Sequence, residues 1–137
     1  MTQSIFDKIS TPAAELIGWR LIAENPAQGT IESAYDPDKR MLNKAGYVQG
    51  GFVCAMVDDT MSRALVSMTA GQMVPTSIDL NVSFVRPVRH GTVIGRGRVV
   101  NRGRSVVFLE AELFDAEGKL LVRGTSSAIP VELAPKT

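Results

Sequence analysis

Two adjacent aspartates, Asp58 and Asp59, interrupt the apolar stretch VQGGFVCAMVDDTMS, which covers residues 48–62. Arg63 lies four residues after Asp59 on the same helix face, so this acid–base spacing predicts a structural ion pair. Asp58 has no cation at helical spacing. Burying an unpaired carboxylate costs stability, and proteins keep such groups at sites of acid–base or nucleophilic chemistry. Two interpretations of Asp58 stay open: a buried catalytic carboxylate, or the partner of an arginine on a neighbouring strand.

Gly50 and Gly51 stand where the predicted helix begins. Glycines lack a Cβ atom, so a ligand can approach the free N–H groups of the first turn, where the helix dipole favours negative charge. This arrangement is typical of an oxyanion hole. Close packing against a strand or a neighbouring chain explains a glycine pair equally well. With Asp58 two turns further along, the pair predicts a site that holds an electrophile's oxygen beside a base or nucleophile.

Other chemistries find little support in the sequence. His90 is the only histidine and lies in a predicted turn, and Cys54 is the only cysteine and is expected in the core. One histidine and one cysteine do not make a zinc site, so no metal ligands are predicted. The sequence has no serine-hydrolase elbow, phosphate loop or dinucleotide fingerprint. No cofactor is therefore expected.

Composition predicts one domain over residues 1–137. The chain has 137 residues, 45% of them apolar, which is enough for one core. Fifteen Lys and Arg residues nearly balance 14 Asp and Glu residues, so no general field favours nucleic acid or an anionic membrane as a partner. No secretion leader or membrane-spanning run is evident, and a cytoplasmic location is expected.

The elements that must position these residues follow from apolar periodicity. Apolar residues run almost without a break from Phe52 to Met68, which predicts a largely buried helix of about five turns. Two strands joined by a turn at PAQG precede this helix. Four strands follow it, predicted at residues 78–84, 92–101, 105–115 and 119–130.

In the first of these four strands, apolar and polar residues alternate strictly along the sequence. Its predicted dry face consists of Ile78, Leu80, Val82 and Phe84. Short glycine-containing links between the later strands are typical of antiparallel hairpins. The prediction is an α+β fold in which a curved antiparallel sheet of about six strands wraps a long central helix. Residues 1–16 are expected to form a helical or irregular lead-in broken at Pro12, and residues 131–137 a loose tail.

Two segments carry a resemblance to a known protein family: NKAGYVQGGFVCAMVDDTMSRAL and PTSIDLNVSFVRPVRHGTVIGRGRVVNRGRSVVFLEAELFDAEGKLLVRGTSSA. From about Asn43 to Ala128 the chain closely resembles the hotdog-fold acyl-CoA thioesterases of the phenylacetate-degradation type. The resemblance implies a hotdog fold and metal-free hydrolysis of an acyl-CoA thioester, with CoA as part of the substrate.

The resemblance also implies roles for individual residues. Asp58 would be the catalytic carboxylate, as general base or as nucleophile. The Gly50 N–H would bind the thioester carbonyl, Asn43 would help to hold the nucleophilic water, and Ser77 would position or polarise that water. The chain departs from the family at Gln49, where histidine is usual; glutamine forms hydrogen bonds but does not titrate.

Partners follow from the same resemblance. It implies a homo-oligomer in which two copies form a continuous sheet, with each active site between copies, as a dimer or a dimer of dimers. Asp58 and Ser77 of one copy would face Asn43 and Gly50 of the other. The coenzyme A phosphates would meet Arg102, Gly103 and Arg104 in the turn NRGRS, although solvated arginines are an equal alternative there. Arg86 is a further phosphate-binding candidate.

Two rival functions share the fold. The chain could be a non-hydrolytic acyl-CoA binding or sensing module, an interpretation that Gln49 favours. An enoyl-CoA hydratase or dehydratase is less well supported, because those chemistries normally use a histidine near the helix. The identity of the acyl group stays open.

Overall fold

The computed structural model describes residues 4–8 and 11–133, and residues 1–3, 9–10 and 134–137 lie outside it. A 3-10 helix at Ile5–Lys8 precedes helix α1, Pro12–Leu16. Thr11 caps α1, because its hydroxyl accepts a hydrogen bond from the Ala14 N–H at 3.1 Å. Pro12 occupies the start of this helix, where the missing proline N–H costs nothing. Pro12 therefore begins a helix as well as separating two helical segments.

The central helix and one antiparallel sheet account for most of the chain. Helix α2 covers Gly50–Met68. The strands are β1 (Trp19–Asn25), β2 (Thr30–Tyr35), β3 (Met73–Ser77), β4 (Asn81–Phe84), β5 (Val93–Arg102), β6 (Val107–Phe114) and β7 (Leu120–Glu132). Their order in the sheet is β1-β2-β5-β6-β7-β3, and β4 also pairs with β7. Since β3 and β4 follow one another along β7, the sheet has six positions, and the predicted α+β architecture is confirmed.

Small residues on the inner face of the sheet let α2 lie unusually close. A Cβ atom added to Gly97 would lie 2.6 Å from the Thr60 carbonyl oxygen, and one added to Gly124 would overlap the Val57 side chain. Met56 and Val57 are fully buried in this contact. Strand glycines normally weaken a sheet, so their presence here marks the close approach of another backbone.

The predicted dry face over residues 78–84 is wrong. Ser77 pairs with Ala128 and Asn81 with Thr125, so three residues of the β3–β4 segment stand opposite two residues of β7. This β-bulge reverses the alternation of side chains. Val82 packs against the core as predicted, whereas Ile78 and Leu80, which lie in the bulge, are exposed. Phe84 has the same parity as Val82 and is exposed at the end of β4.

The carboxyl end of the chain also differs from prediction. Strand β7 continues to Glu132, which pairs with Met73, so the first two residues of the predicted tail belong to the sheet. The pairing with β3 supplies main-chain partners that the sequence pattern did not indicate. Residues 134–137 of that tail lie outside the described residues. No helix in the described part of the chain is long and apolar enough to cross a membrane.

Candidate functional site

The amino end of α2 presents main-chain donors without partners. Gln49 occupies the N-cap position, and its side chain makes no capping hydrogen bond. Its carbonyl oxygen accepts hydrogen bonds from Phe52 N at 2.9 Å and Val53 N at 3.2 Å. Within the described residues, the N–H groups of Gly50 and Gly51 donate to no protein atom. The helix therefore begins with two free amides at its positive end, as predicted.

The loop before α2 fixes the orientation of Asn43. The Asn43 Oδ1 atom accepts hydrogen bonds from the N–H groups of Ala45 at 3.0 Å and Tyr47 at 3.1 Å. The Asn43 N–H donates to the Tyr47 carbonyl oxygen at 2.6 Å. With its oxygen engaged in this turn, the Asn43 side chain has only its NH₂ group available for a ligand.

Asn43 and Gly50 share a cavity of about 380 Å³. Two aromatic residues that the sequence did not indicate as site residues also line it, Tyr47 and Phe84. The Phe84 Cζ atom lies 3.6 Å from the position that a Cβ atom would take on Gly50. The signal for Phe84 was its place in the segment NVSFVRP, two residues before Arg86, but alternation assigned it to the core. We call Asn43, Gly50 and the walls of this cavity the donor half.

Asp58 lies on a face of α2 that does not line the cavity of the donor half, and it contacts Ser77. The Ser77 hydroxyl donates a hydrogen bond to Asp58 Oδ1 at 3.1 Å, and both residues are exposed. The prediction that Asp58 is buried is therefore wrong for the single chain. Gly51, Ala55 and Asp58 form a helix stripe that the sheet does not cover. We call Asp58 and Ser77 the carboxylate half.

In the part of the chain that the structure describes, no arginine pairs with Asp58, so the predicted alternative of a strand arginine as its partner is wrong. Among the described residues, Ser77 is its hydrogen-bonding partner and it takes part in no ion pair. Ser77 engages Oδ1, which leaves Oδ2 free to accept a proton or to attack an electrophile.

Asp59 has the structural role predicted for it. Its Oδ2 atom accepts hydrogen bonds from Arg63 Nε at 2.8 Å and from the Tyr35 hydroxyl at 2.8 Å. The Arg63 guanidinium carbon lies 3.5 Å from the centre of the Trp19 ring. Burial raises the pKa of the Tyr35 phenol well above its usual value, and the Asp59 carboxylate adds to that shift. The two neighbouring aspartates therefore have different partners: Asp59 belongs to an ion pair, whereas Asp58 contacts only the Ser77 hydroxyl among the described residues.

Within one chain, the donor half and the carboxylate half lie too far apart for one small reacting group to contact both. Gly50 and Asp58 belong to the same helix, and eight residues of α helix span about 12 Å along the axis. A reacting carbonyl group must have its oxygen near the donors and its carbon about 3 Å from the attacking atom. Within one chain, therefore, the two halves are not brought together around a single reacting group.

Comparison with known proteins identifies the family. The model of the thioesterase superfamily matches residues 45–122, which include Gly50, Asp58 and Ser77. The chain belongs to the thioesterase superfamily. Its curled sheet around a long helix is the hotdog fold of that superfamily, and the resemblance found in the sequence is confirmed.

Three members of the comparison illustrate the similarity. A solved phenylacetic acid degradation-related protein from Ralstonia eutropha JMP134 is 32% identical with a TM-score of 0.83, over 91% of this chain and 95% of that one. The 1,4-dihydroxy-2-naphthoyl-CoA hydrolase of Escherichia coli K12 is 26% identical over 97 residues, 71% of each chain. The acyl-coenzyme A thioesterase 13 of Mus musculus is 25% identical over 89 residues, 64% of this chain and 63% of that one.

The cations predicted to meet phosphates in this thioesterase-superfamily chain are exposed. Arg102 ends β5, and its guanidinium lies 3.8 Å from the Met73 sulfur. Gly103 and Arg104 follow in the hairpin loop, where the Gly103 N–H donates to the Val106 carbonyl oxygen at 3.0 Å. Arg86 lines the donor half and donates to the Leu120 carbonyl oxygen at 2.6 Å. Neither Arg102 nor Arg104 forms an ion pair within the described residues.

The remaining candidates lie outside the two halves. His90 is exposed. Cys54 is half-buried rather than a core residue, because it borders the helix stripe that the sheet leaves open. Within the described ranges, no three His, Cys, Asp or Glu side chains are grouped as metal ligands. A larger cavity of about 620 Å³ lies on the outer face of the sheet, where neighbouring strands pair Arg98 with Glu110, and it contains no predicted site residue.

Proposed function

We propose that the protein hydrolyses an acyl-CoA thioester to a free acid and CoA, at sites formed between two copies of the chain. The observation that carries this proposal is Asp58, an ionisable carboxylate whose described partner is the Ser77 hydroxyl, on a helix that begins with free amides. The names of two relatives support the substrate class, because both name a coenzyme A thioester or its hydrolysis.

A second copy would complete the site and cover exposed apolar residues. Ile78, Leu80, Phe84 and Val85 are all about 37% exposed or more and lie on or beside β4. Strand β4 pairs with β7 on one side only, and a free strand edge is a template for another strand. Pairing of two such edges would extend the sheet and bring the carboxylate half of one copy to the donor half of the other, as a dimer or a dimer of dimers.

The proposed reaction uses water and protein groups alone. The thioester carbonyl oxygen would accept hydrogen bonds from the Gly50 N–H and the Asn43 NH₂. Asp58 Oδ2 would remove a proton from a water molecule whose oxygen attacks the carbonyl carbon. The C–S bond then breaks, and the CoA sulfur takes up the proton that Asp58 removed from the water, which restores the carboxylate. Direct attack by Asp58 would instead give an acyl–carboxylate anhydride, which water cleaves to the same two products.

Hydrogen bonding favours a revised role for Asn43. The sequence resemblance assigned this side chain to the nucleophilic water. Because Asn43 Oδ1 is engaged by Ala45 and Tyr47, its free NH₂ group is a donor and suits the developing negative charge on the carbonyl oxygen. Ser77 takes over the positioning of the nucleophile, since it is the residue that contacts Asp58.

Gln49 would supply an uncharged amide beside the donor half. Its main chain is fixed by the hydrogen bond from Gln49 N to the Met41 carbonyl oxygen at 2.8 Å, while its side chain is exposed. The proposal gives Gln49 no proton-transfer step, because its amide does not titrate. The CoA phosphates would meet the exposed guanidinium groups of Arg102 and Arg104, with Arg86 nearer the thioester. The Gly103 N–H, predicted as a further phosphate donor, already donates to the Val106 carbonyl oxygen and is not free for a phosphate.

The decisive experiment compares two neighbouring carboxylates. Asp58→Asn should lower kcat by about 100-fold or more, because the amide neither accepts the proton nor attacks. Asp59→Asn is the matched control: it should reduce stability through the Arg63 and Tyr35 contacts and leave kcat within a few-fold. The measurement is thiol release from aryl, short, medium and long acyl-CoA substrates, with thermal unfolding of each variant. Undiminished turnover by the Asp58→Asn protein would remove Asp58 from the mechanism.

A binding or sensing module is the second candidate, and the uncharged Gln49 side chain favours it. Titration with a non-hydrolysable acyl-CoA should show binding for either function. Binding without thiol release from any of the four substrate classes would identify the sensing module. Loss of the conjugated double bond of an enoyl-CoA would instead identify a hydratase.

A further inference from the structure

The β-bulge between β3 and β4 determines where Ser77 points. Ser77 faces α2 and reaches Asp58, while Val82, five residues later, faces the core beside Gly124. In an uninterrupted strand, residues five apart point to opposite faces. Because the bulge inserts one residue, the side chains of Ser77 and Val82 both point to the inner face of the sheet. The same edge of the sheet can therefore bury Val82 in the core and place Ser77 against Asp58.

Asp79 accepts two of the hydrogen bonds that hold this bulge. Its Oδ1 atom accepts a hydrogen bond from the Ser127 N–H at 2.8 Å. Its carbonyl oxygen accepts one from the hydroxyl of the buried Ser126 at 2.8 Å. The Ser127 carbonyl oxygen accepts from Ile78 N at 2.7 Å. Both main-chain polar groups of Ser127 thus face the bulge, and the Asp79 carboxylate fills the place that a strand carbonyl takes in a regular pair.

We infer that Asp79 is a positioning residue for thioester hydrolysis, which fixes the bulge so that Ser77 stays hydrogen-bonded to Asp58. This inference rests on the proposed function for its kinetic consequence only. Without the Asp79 carboxylate, the Ser127 N–H loses its partner and the bulge can shift its register. The Ser77 hydroxyl would then leave Asp58.

The kinetic test is a double-mutant cycle on Asp79 and Ser77. Ser77→Ala removes a hydrogen bond to a charged group and should lower kcat by about tenfold or more. Asp79→Ala should lower kcat by a similar factor with KM unchanged, because Asp79 does not touch the substrate. The double variant should lose no more than either single variant, since Asp79 acts through Ser77. Asp79→Asn retains a side-chain carbonyl acceptor and should restore most of the rate.

Asp115→Ala is the matched control. Asp115 Oδ1 also accepts main-chain hydrogen bonds, from Glu117 at 3.0 Å and Lys119 at 2.9 Å, in a hairpin that contributes to neither half of the site. This variant should lose comparable stability with kcat unchanged. Equal losses of kcat in the Asp115→Ala and Asp79→Ala proteins would overturn the inference, as would multiplicative losses in the double variant.

A crystal structure of the Asp79→Ala protein tests the positioning role without an activity measurement. The distance between Ser77 Oγ and Asp58 Oδ1 should exceed hydrogen-bonding range, about 3.5 Å. An unchanged bulge with that contact intact would refute the positioning role, even if the wild-type protein hydrolysed no thioester. If the contact is lost but the wild-type protein releases no thiol, the positioning role stands and the proposed function fails.

Discussion

At Gly50, a substitution can remove a single main-chain N–H donor without disturbing the helix. It is the first residue of α2, and Gln49 before it has φ −56° and ψ 137°. Proline is favoured at the first helical position, and the residue before a proline prefers this extended conformation. A proline at position 50 would therefore fit the helix while removing the N–H group proposed to bind the carbonyl oxygen.

Gly50→Pro should fold with near-normal stability and lose about 100-fold or more in kcat, the usual effect of deleting an oxyanion donor. Gly50→Ala is its control, because it keeps the N–H, and its methyl group would make an ordinary contact with Phe84 at 3.6 Å. Thermal unfolding and thiol release measure the two effects. Equal activity of the proline and alanine variants would exclude the Gly50 amide as the donor.

At the scale of elements, Asp36 ties together the ends of three strands. It follows β2, and its carboxylate accepts hydrogen bonds from Arg20 of β1 at 3.1 Å and from Thr92, just before β5, at 2.7 Å. The hydrogen bond from Arg20, followed by that from Thr92, lowers the pKa of Asp36 below its usual value of 3.8. A lowered carboxyl pKa stabilises the fold above pH 3.8, and this stabilisation is lost as the pH falls through the folded-state value.

Asp36→Asn should therefore cost less than about 1 kcal/mol, since the ion pair is exposed. The cost should be constant from about pH 8 to pH 5 and vanish in more acidic solution. Urea unfolding of both proteins across this range measures it. Arg20→Gln removes the first cause of the pKa shift and should show the same pH dependence. A stability difference that grows on acidification would contradict this account of Asp36.

The sequence predicted α2, the hairpins and the Asp59–Arg63 pair because each depends on local spacing. The predicted alternation of buried and exposed side chains fails at residues 78–80, where the strand has one inserted residue. This bulge exposes Ile78 and Leu80, and no local sequence pattern indicates it. Asp58 has no cationic partner on its helix, as the spacing predicts, whereas the predicted burial of Asp58 is wrong because the sheet leaves its side of α2 uncovered. Periodicity shows that α2 is apolar on most sides but not which stripe the sheet leaves uncovered.

At the scale of the whole molecule, mixing two inactive variants tests whether each site combines residues from two copies of the chain. Mixing Asp58→Asn with Gly50→Pro protein should produce mixed dimers in which one site has an intact carboxylate half and an intact donor half. Random pairing makes half of the dimers mixed, with one intact site of two, so about a quarter of the wild-type activity should return.

Co-expression followed by thiol-release assays measures this recovery. Mixing Asp58→Asn with Ser77→Ala is the control, because both changes affect the carboxylate half and no intact site forms. If the Asp58→Asn and Gly50→Pro mixture recovers no activity while mixed dimers are demonstrated by mass spectrometry, both halves must come from the same chain.

The close contact of α2 with the glycines of β5 and β7 limits how this protein can adapt to new substrates. Sliding the helix would drive Val57 and Thr60 into strand backbone at Gly124 and Gly97. The carboxylate is thus mounted on the least adjustable element of the fold. Room for a bulkier or slimmer acyl group has to come from residues 43–48 and 84–88, whose loops can change without disturbing the core. Divergence in substrate range between related chains is therefore expected at those loops, while the reactive carboxylate keeps its place.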